Sequence, residues 1–257
     1  MQPEDAVAID GDAPVPRVSV CMAAYRGTAF IEEQIRSILA QLAPSDELVV
    51  VDDASPDDTA VTVKDIDDPR IRLYTNDMNR GYVRTFERAL GLARGRYLFL
   101  ADQDDVWLPG RVESMIAALS GPSGAGVVAG NFGFLGASPR RIESLRLKGA
   151  DSRRRVANLL ALWIGVRPYY GCAMAMTMQF RNQALPFPPF LTETHDQWIA
   201  MVGILHGQMK HLEQDTLLRR LHGDNATPRT MRSPSAILRA RLMLARAFVV
   251  ALRRRPA

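Results

Sequence analysis

The stretch LFLADQDDVW, residues 98–107, places Asp102, Asp104 and Asp105 directly after a run of apolar side chains that reads as a buried strand. Carboxylates this close repel one another and resist burial. If the segment stays extended, side chains alternate and Asp102 and Asp104 share a face. Two converging carboxylates form a hard-oxygen site suited to Mg2+ or Mn2+, ions that take one or two protein carboxylates and complete their shell with substrate phosphates. A cation relieves the repulsion. The competing reading is a solvated acidic turn that caps a helix beginning near Pro109; the buried strand before it favours the cation. A second candidate acid is Asp196 in HDQWIA (195–200), at the start of a helical pattern. By itself it reads as an N-terminal acid facing the helix dipole.

These residues need elements to hold them. VSVCMAAY (18–25) is β-rich, and AFIEEQIRSILAQL (29–42) has apolar residues at helical spacing, ending before Pro44. ELVVVDD (47–53) is an apolar strand stopped by two aspartates. The segment after it predicts a helix capped by Ser55 with Pro56 at its first position. IRLYT (71–75), YVRTFERALGLA (82–93) and YLFLA (97–101) continue the alternation. Strand and helix in turn predict an α/β fold, a mainly parallel sheet with right-handed crossovers whose ligands bind beyond the C-terminal strand ends. Tyr25, Asp52 and Asp102 to Asp105 fall there. The second half is less regular: strands over 126–136, 169–177 and 216–223, helices over RRVANLLALWI and 195–207, then a long helix from Pro234 to Leu252.

Composition sets bounds. The 257 residues are 47% hydrophobic and 23% charged with a net charge of +4, ordinary for a globular protein with a sizeable core. Arginine clusters at 153–155 and 253–255 suggest anionic ligands or surfaces rather than a nucleic-acid groove, for which aromatic–basic interleaving is missing. Cys21 and Cys172 read as two buried thiols. Residues 1–16 are acidic and Pro-rich, read as a leader and not a signal peptide. No apolar run reaches the ~18 residues of a membrane span, so a cytoplasmic location is expected. G-x-G-x-x-G, the P-loop, G-x-S-x-G and H-E-x-x-H are all missing.

Four motifs in order, VSVCMAAYRGTAFIEEQIRSILAQ, ELVVVDDASPDDT, NRGYVRTFERAL and YLFLADQDDVW, resemble family 2 glycosyltransferases of the GT-A fold. The D-Q-D-D-V-W form, with HDQWIA at 195–200 and LHGDN at 221–225, is most similar to the rhamnosyltransferase-like branch. The resemblance implies a GT-A domain over residues 17–226, with a nucleotide-binding half at 17–105 and an acceptor half at 106–226, followed by a basic amphipathic helix at 227–257. It implies that Ala23, Ala24, Tyr25, Asp52, Gly81 and Asp102 contact the donor nucleotide, that Asp104 and His222 hold the metal, and that Asp196 is the catalytic base. Trp107, Gly171 and Trp198 fall on the acceptor side. The chain departs from the pattern at Leu218-Arg219-Arg220-Leu221, where the branch has Tyr-Arg-Gln, and at Gln197, where it has an aromatic residue.

The function implied is inverting transfer of a sugar, with dTDP-rhamnose as donor, to a glycan or lipid-linked acceptor in cell-surface polysaccharide synthesis, assisted by Mg2+ or Mn2+. The alternative is a catalytically silent nucleotide-sugar-binding scaffold on the same frame. In the C-terminal helix, Arg239, Arg246 and Arg253 recur every seven residues opposite Ile237, Leu244, Phe248 and Leu252. That pattern suits either a peripheral contact at the inner face of the cell membrane or packing on the domain.

Overall fold

The computed structural model describes residues 15–121, 124–136, 145–221 and 233–254. Eight strands form one sheet: β1 (Val18–Ala24), β2 (Glu47–Asp52), β3 (Ile71–Thr75), β4 (Tyr97–Ala101), β5 (Val106–Trp107), β6 (Val127–Leu135), β7 (Met174–Thr177) and β8 (Met209–Arg220). Their order is β3-β2-β1-β4-β7-β6-β8-β5. β3, β2, β1 and β4 are mutually parallel, with Ala24 opposite Asp52 and Met22 opposite Ala101, so β1, β2 and β4 end at one edge. β7 then runs antiparallel to both β4 and β6. The sheet is thus parallel in the first half and mixed beyond it.

Burial on both faces explains the near-continuous apolar strands. Leu98 and Leu100 of β4 enter one core layer, and Tyr97, Phe99 and Ala101 enter the other. Helices α1 (Ile31–Leu39) and α4 (Arg111–Ser120) cover one face. The other is covered by α3 (Tyr82–Leu92), whose Val83, Phe86, Ala89 and Leu90 are buried, and by α7 (His195–Leu205), which is buried along nearly its whole length. The remaining helices are α2 (Thr59–Asp65), α5 (Arg155–Ile164), α6 (Met178–Ala184) and α8 (Pro234–Leu252). Cys21 and Cys172 are buried free thiols. Among the described residues, no helix is long and apolar enough to cross a membrane.

Several local expectations change. α2 begins at Thr59 rather than Pro56, because the Ser55 amide donates to Asp52 Oδ2 and its hydroxyl accepts from the Arg26 amide, committing the segment to a loop at the sheet edge. Only Met174–Thr177 of the expected 169–177 strand is extended; Gly171–Ala173 forms a 3-10 turn. Residues 102–105 are a turn, so the alternation that put Asp102 and Asp104 on one face does not apply. α8 is also divided differently: Leu244, Ala247 and Ala251 are buried on the domain, while Phe248 and Leu252 stay exposed. Arg246, expected on a solvated face, instead covers the Phe190 ring with its guanidinium 4.0 Å from the centroid. Arg254 donates to the carbonyls of Leu185 and Pro186.

At the opposite edge, Glu47 is 3% exposed. Burial pushes its carboxyl up, but hydrogen bonds from Ser19, the Arg94 amide and Arg72 outweigh burial and hold it below the usual range. Removing one partner of a buried ion pair leaves the other charge uncompensated. Glu47→Ala is therefore expected to lower stability by about 3–5 kcal/mol, read as a lower urea midpoint at unchanged slope.

Candidate active site

A cavity of about 540 Å3 opens where β1 and β4 end, and Asp102, Gln103 and Asp104 line it. Oxygens of Asp102 and Asp105 and the Cys172 sulfur all lie within 4.8 Å of one another. Burial first, then the charges of Asp105 and Asp104, push Asp102 up to about 8. Burial and Asp104 push Asp105 up to about 6. The buried Cys172 thiol is raised well above its ordinary value and donates to Asp105. One Asp105 oxygen, Oδ2, is buried without a hydrogen-bond partner.

Two arginines balance this charge. Arg111, 1% exposed, donates to the Cys172 carbonyl at 2.6 Å and to Thr216 Oγ1 at 2.9 Å, with its guanidinium 4.3 Å from the Trp107 ring centroid. Arg219 lies 4.3 Å from the Tyr170 ring centroid and lines the cavity. Burial lowers its pKa, but Cys172, Asp105 and Asp102 outweigh that and raise it. Clustered carboxylate oxygens, one of them unpartnered, are the donor set that a small hard dication takes, so Asp102 and Asp105, with Asp104 alongside, fit Mg2+ or Mn2+.

One wall of the cavity is built from loops tied to strand ends. The Tyr25 amide donates to Gln103 Oε1, and Gln103 Nε2 donates back to the Tyr25 carbonyl, each at 2.8 Å. Ala23, Ala24, Tyr25 and Gly81 all line the cavity. Gly81 has φ +79°, a conformation that favours glycine, and its amide donates to Asp53 Oδ2 at 2.8 Å. Asp53 also accepts from the Arg80 amide and from Asn76 Nδ2. It is Asp53, rather than the expected Asp52, that lines the cavity. Asp52 lies just behind, 2% exposed, with Oδ1 unpartnered.

Across the cavity stands the start of α7. Thr194 has φ +61°, a strained conformation for a threonine, and its amide meets the Tyr82 hydroxyl at 3.2 Å. Burial pushes Asp196 up to about 6 against hydrogen bonds from the Gln197 and Gly171 amides. His195 stacks on Phe86 with centroids 4.5 Å apart, and neither ring nitrogen has a partner. Burial drives it down to about 3, so it is neutral. Gly171 lets the turn pack closely on α7, since a Cβ there would lie 3.0 Å from His195 Nε2 and push against that ring.

Most of the expected site residues therefore converge: Ala23, Ala24, Tyr25, Gly81, Asp102, Asp104, Gly171 and Asp196 line one cavity. Trp107 and Trp198 do not line it. Both are buried in the core, Trp198 with its indole donating to the Ala184 carbonyl. His222 lies outside the described residues. Sequence reasoning gave no role to Asp53, Gln103, Arg111 or Arg219, and named Asp105 in the acidic run without assigning it to the metal.

A sheet with its cavity loops at the parallel edge and an acid cluster beyond the fourth strand is the GT-A type of fold. The profile of "Glycosyl transferase family 2" matches residues 19–181, and the chain belongs to that family. A succinoglycan biosynthesis protein, ExoO of Rhizobium meliloti, is 43% identical over 102 residues, which cover 40% of this chain and 29% of that protein. An Escherichia coli UDP-Glc:alpha-D-GlcNAc-diphosphoundecaprenol beta-1,3-glucosyltransferase, WfgD, is 35% identical over 102 residues, 40% of each chain. The chain spans 29–46% of the length of the first three curated relatives it matches. S. aureus TarS 1-349 in complex with UDP-GlcNAc shares the fold, with a TM-score of 0.70 at 17% identity over 90% of this chain and 66% of that one. So does Mycobacterium tuberculosis glucosyl-3-phosphoglycerate synthase with Mn2+, UDP and phosphoglyceric acid, with a TM-score of 0.62 at 17% identity over 93% and 79%.

A carboxyl whose folded pKa is raised above its unfolded value stabilises the fold least once ionised. For Asp102 that loss accrues as pH climbs from the unfolded value near 4 to about 8. Asp102→Asn is expected to raise the melting temperature of the metal-free protein at pH 8 and to leave it unchanged near pH 3. A lower melting temperature at pH 8 would contradict the assignment.

Proposed function

We propose that this protein is an inverting, metal-dependent glycosyltransferase that moves a sugar from a nucleotide-diphosphate donor to a hydroxyl of a glycan or lipid-linked acceptor in cell-surface polysaccharide synthesis. The observation that carries the reading is the placement of Asp196 across one cavity from the Asp102–Asp105 cluster, close enough that the Asp196 charge raises Asp102. Residues 17–226 make up the catalytic unit, and the helix after it is an appendage. The work is cytoplasmic, at the inner face of the membrane.

Each residue then has a task. Tyr25, Ala23 and Ala24 wall the base, Asp52 and Asp53 lie at the end of β2 beside them, and Gly81 lets the backbone approach the nucleotide. Asp102, Asp105 and Asp104 would hold a divalent cation, and the motif resemblance adds His222, which lies outside the described residues. When bound there, Mg2+ or Mn2+ supplies Lewis-acid neutralisation of the departing diphosphate. Arg219 adds a fixed positive charge on the same side. Asp196 accepts the proton of the acceptor hydroxyl as the oxygen attacks the anomeric carbon from the face opposite the diphosphate, and a single displacement inverts that centre. His195, neutral and wedged by Phe86, orients that end of the cavity.

The motif resemblance favours dTDP-rhamnose, whereas WfgD and the two solved structures named above carry UDP or UDP-sugars in their descriptions. A panel of both classes, scored by protection against thermal unfolding, separates these donors because a ligand of the native state stabilises by mass action. A silent scaffold would be protected by a donor but would release no nucleoside diphosphate.

Asp196→Asn is expected to lower transfer by about 100- to 10,000-fold with donor affinity retained, measured with hydrolysis and transfer assayed separately. Normal transfer by this variant would place the base elsewhere. Because the base must be ionised, wild-type transfer is expected to rise with pH through an apparent pKa near 6, set by burial of Asp196. Chelator should abolish transfer, and Asp104→Asn should lower it more than about 100-fold; full activity in excess chelator would overturn the metal role.

A further inference from the structure

Two helices share one side of the fold. α5 and α8 both pack on α7, and Arg241 Nη2 of α8 donates to the Ile164 carbonyl at the end of α5, 2.9 Å away. Their inward faces supply Leu162 from α5 and Leu244, Ala247 and Ala251 from α8 to the core. Their outward faces are apolar as well. On α5, Val156, Leu160, Trp163 and Ile164 are 72%, 55%, 48% and 64% exposed. On α8, Leu238, Leu242, Val249 and Leu252 are 60%, 62%, 50% and 55% exposed. At about 100° per residue these four form one stripe. Single exposed hydrophobic residues are ordinary on a protein surface, but two adjoining stripes mark an interaction site.

Charge decides what covers them. Residues 152–192 and 225–257 contain no aspartate or glutamate. Arg153, Arg154 and Arg155 are exposed where α5 begins. On α8, exposed Arg239 and Arg253 flank the stripe on one side and Arg241 on the other. A second copy docked here by two-fold symmetry would set arginine against arginine, since the neighbouring acid, Asp151, is already paired with Arg154 and Arg167. An anionic lipid surface satisfies both features together, taking the apolar stripes below its headgroups and the arginines among them. We propose that the outward faces of α5 and α8 form a single docking surface for an anionic lipid bilayer. The site extends beyond the C-terminal helix alone, since α5 contributes its only exposed tryptophan. With that surface occupied, the cation-free and donor-free protein would already reside at the membrane, whatever sugar it transfers.

The test uses the full chain without metal or donor, sedimented with phosphatidylcholine vesicles made with and without phosphatidylglycerol. Binding should be at least about tenfold stronger to the anionic vesicles and should weaken as salt is added. The double variant Leu160→Asp, Leu242→Asp should lose at least about tenfold in binding, with its melting temperature unchanged because both side chains are exposed. Arg239→Gln with Arg253→Gln should cost about fivefold per arginine, about 1 kcal/mol each, with the apolar stripes intact. Failure of the wild type to bind anionic vesicles, or equal binding by wild type and both variants, overturns the proposal. So does a wild-type dimer that Leu160→Asp, Leu242→Asp turns into a monomer without vesicles, which would make a second copy the occupant.

Discussion

The constraint on which the rest of the structure depends is negative charge at the end of a hydrophobic strand. β4 delivers Asp102 and Asp105 from a fully buried run into one turn, where two ionised carboxylates cannot coexist without compensation. The fold supplies Arg111 beneath and Arg219 beside them, and the Cys172 thiol as a donor to Asp105. This explains why β7 and β8 are where they are. Cys172 meets the acids from the 3-10 turn before β7, and Arg219 from β8, whose Leu218 pairs with Val106 just after Asp105. Even so, the carboxyls stay raised and one oxygen unpartnered, so the compensation from the protein itself is incomplete.

Around that cluster, the walls of the cavity are held by polar clamps. Gln103 joins the acidic turn to the first loop through two reciprocal bonds, and Gln34 donates to the Asp102 carbonyl from α1. Asp53 gathers the amides of Arg80 and Gly81 and so fixes the loop that leads into α3. The facing wall is stiffened by strain and stacking: Thr194 is held in the left-handed region while Phe86 and Tyr82 grip His195. A neutral histidine beside a half-buried acid leaves Asp196 without a cationic neighbour on its own helix turn. Its raised pKa follows from burial, which suits the base role proposed for it.

How much of this the sequence disclosed depends on the range of the interaction. The strands of the first half were legible because apolar runs bounded by aspartates and glycines are local signals. The acid cluster was visible as a run of charge, but its partners were not. Alternation assumed an extended segment, and the chain turns instead, exchanging Asp104 for Asp105 in the buried position. Arg111 and Arg219 come from α4 and β8, distant in sequence, and no periodicity announces a buried arginine whose counter-charge lies elsewhere. Trp107 and Trp198 adjoin the acids in sequence yet point into the core, which adjacency along a chain cannot reveal. The division of α8 into buried, basic and apolar faces depended on α7 and Phe190, again long-range partners.

The central claim is that Asp102 and Asp105 form an incompletely compensated seat for a divalent cation shared with a nucleoside diphosphate. Titrating Mn2+ into the protein with and without UDP, with free Mn2+ followed by electron paramagnetic resonance, tests it most directly. The account predicts that UDP tightens Mn2+ binding and Mn2+ tightens UDP binding by the same factor, and that Asp102→Asn and Asp105→Asn each weaken Mn2+ by at least about tenfold with the fold intact. Unchanged Mn2+ affinity in both variants, with no coupling to UDP, would contradict it.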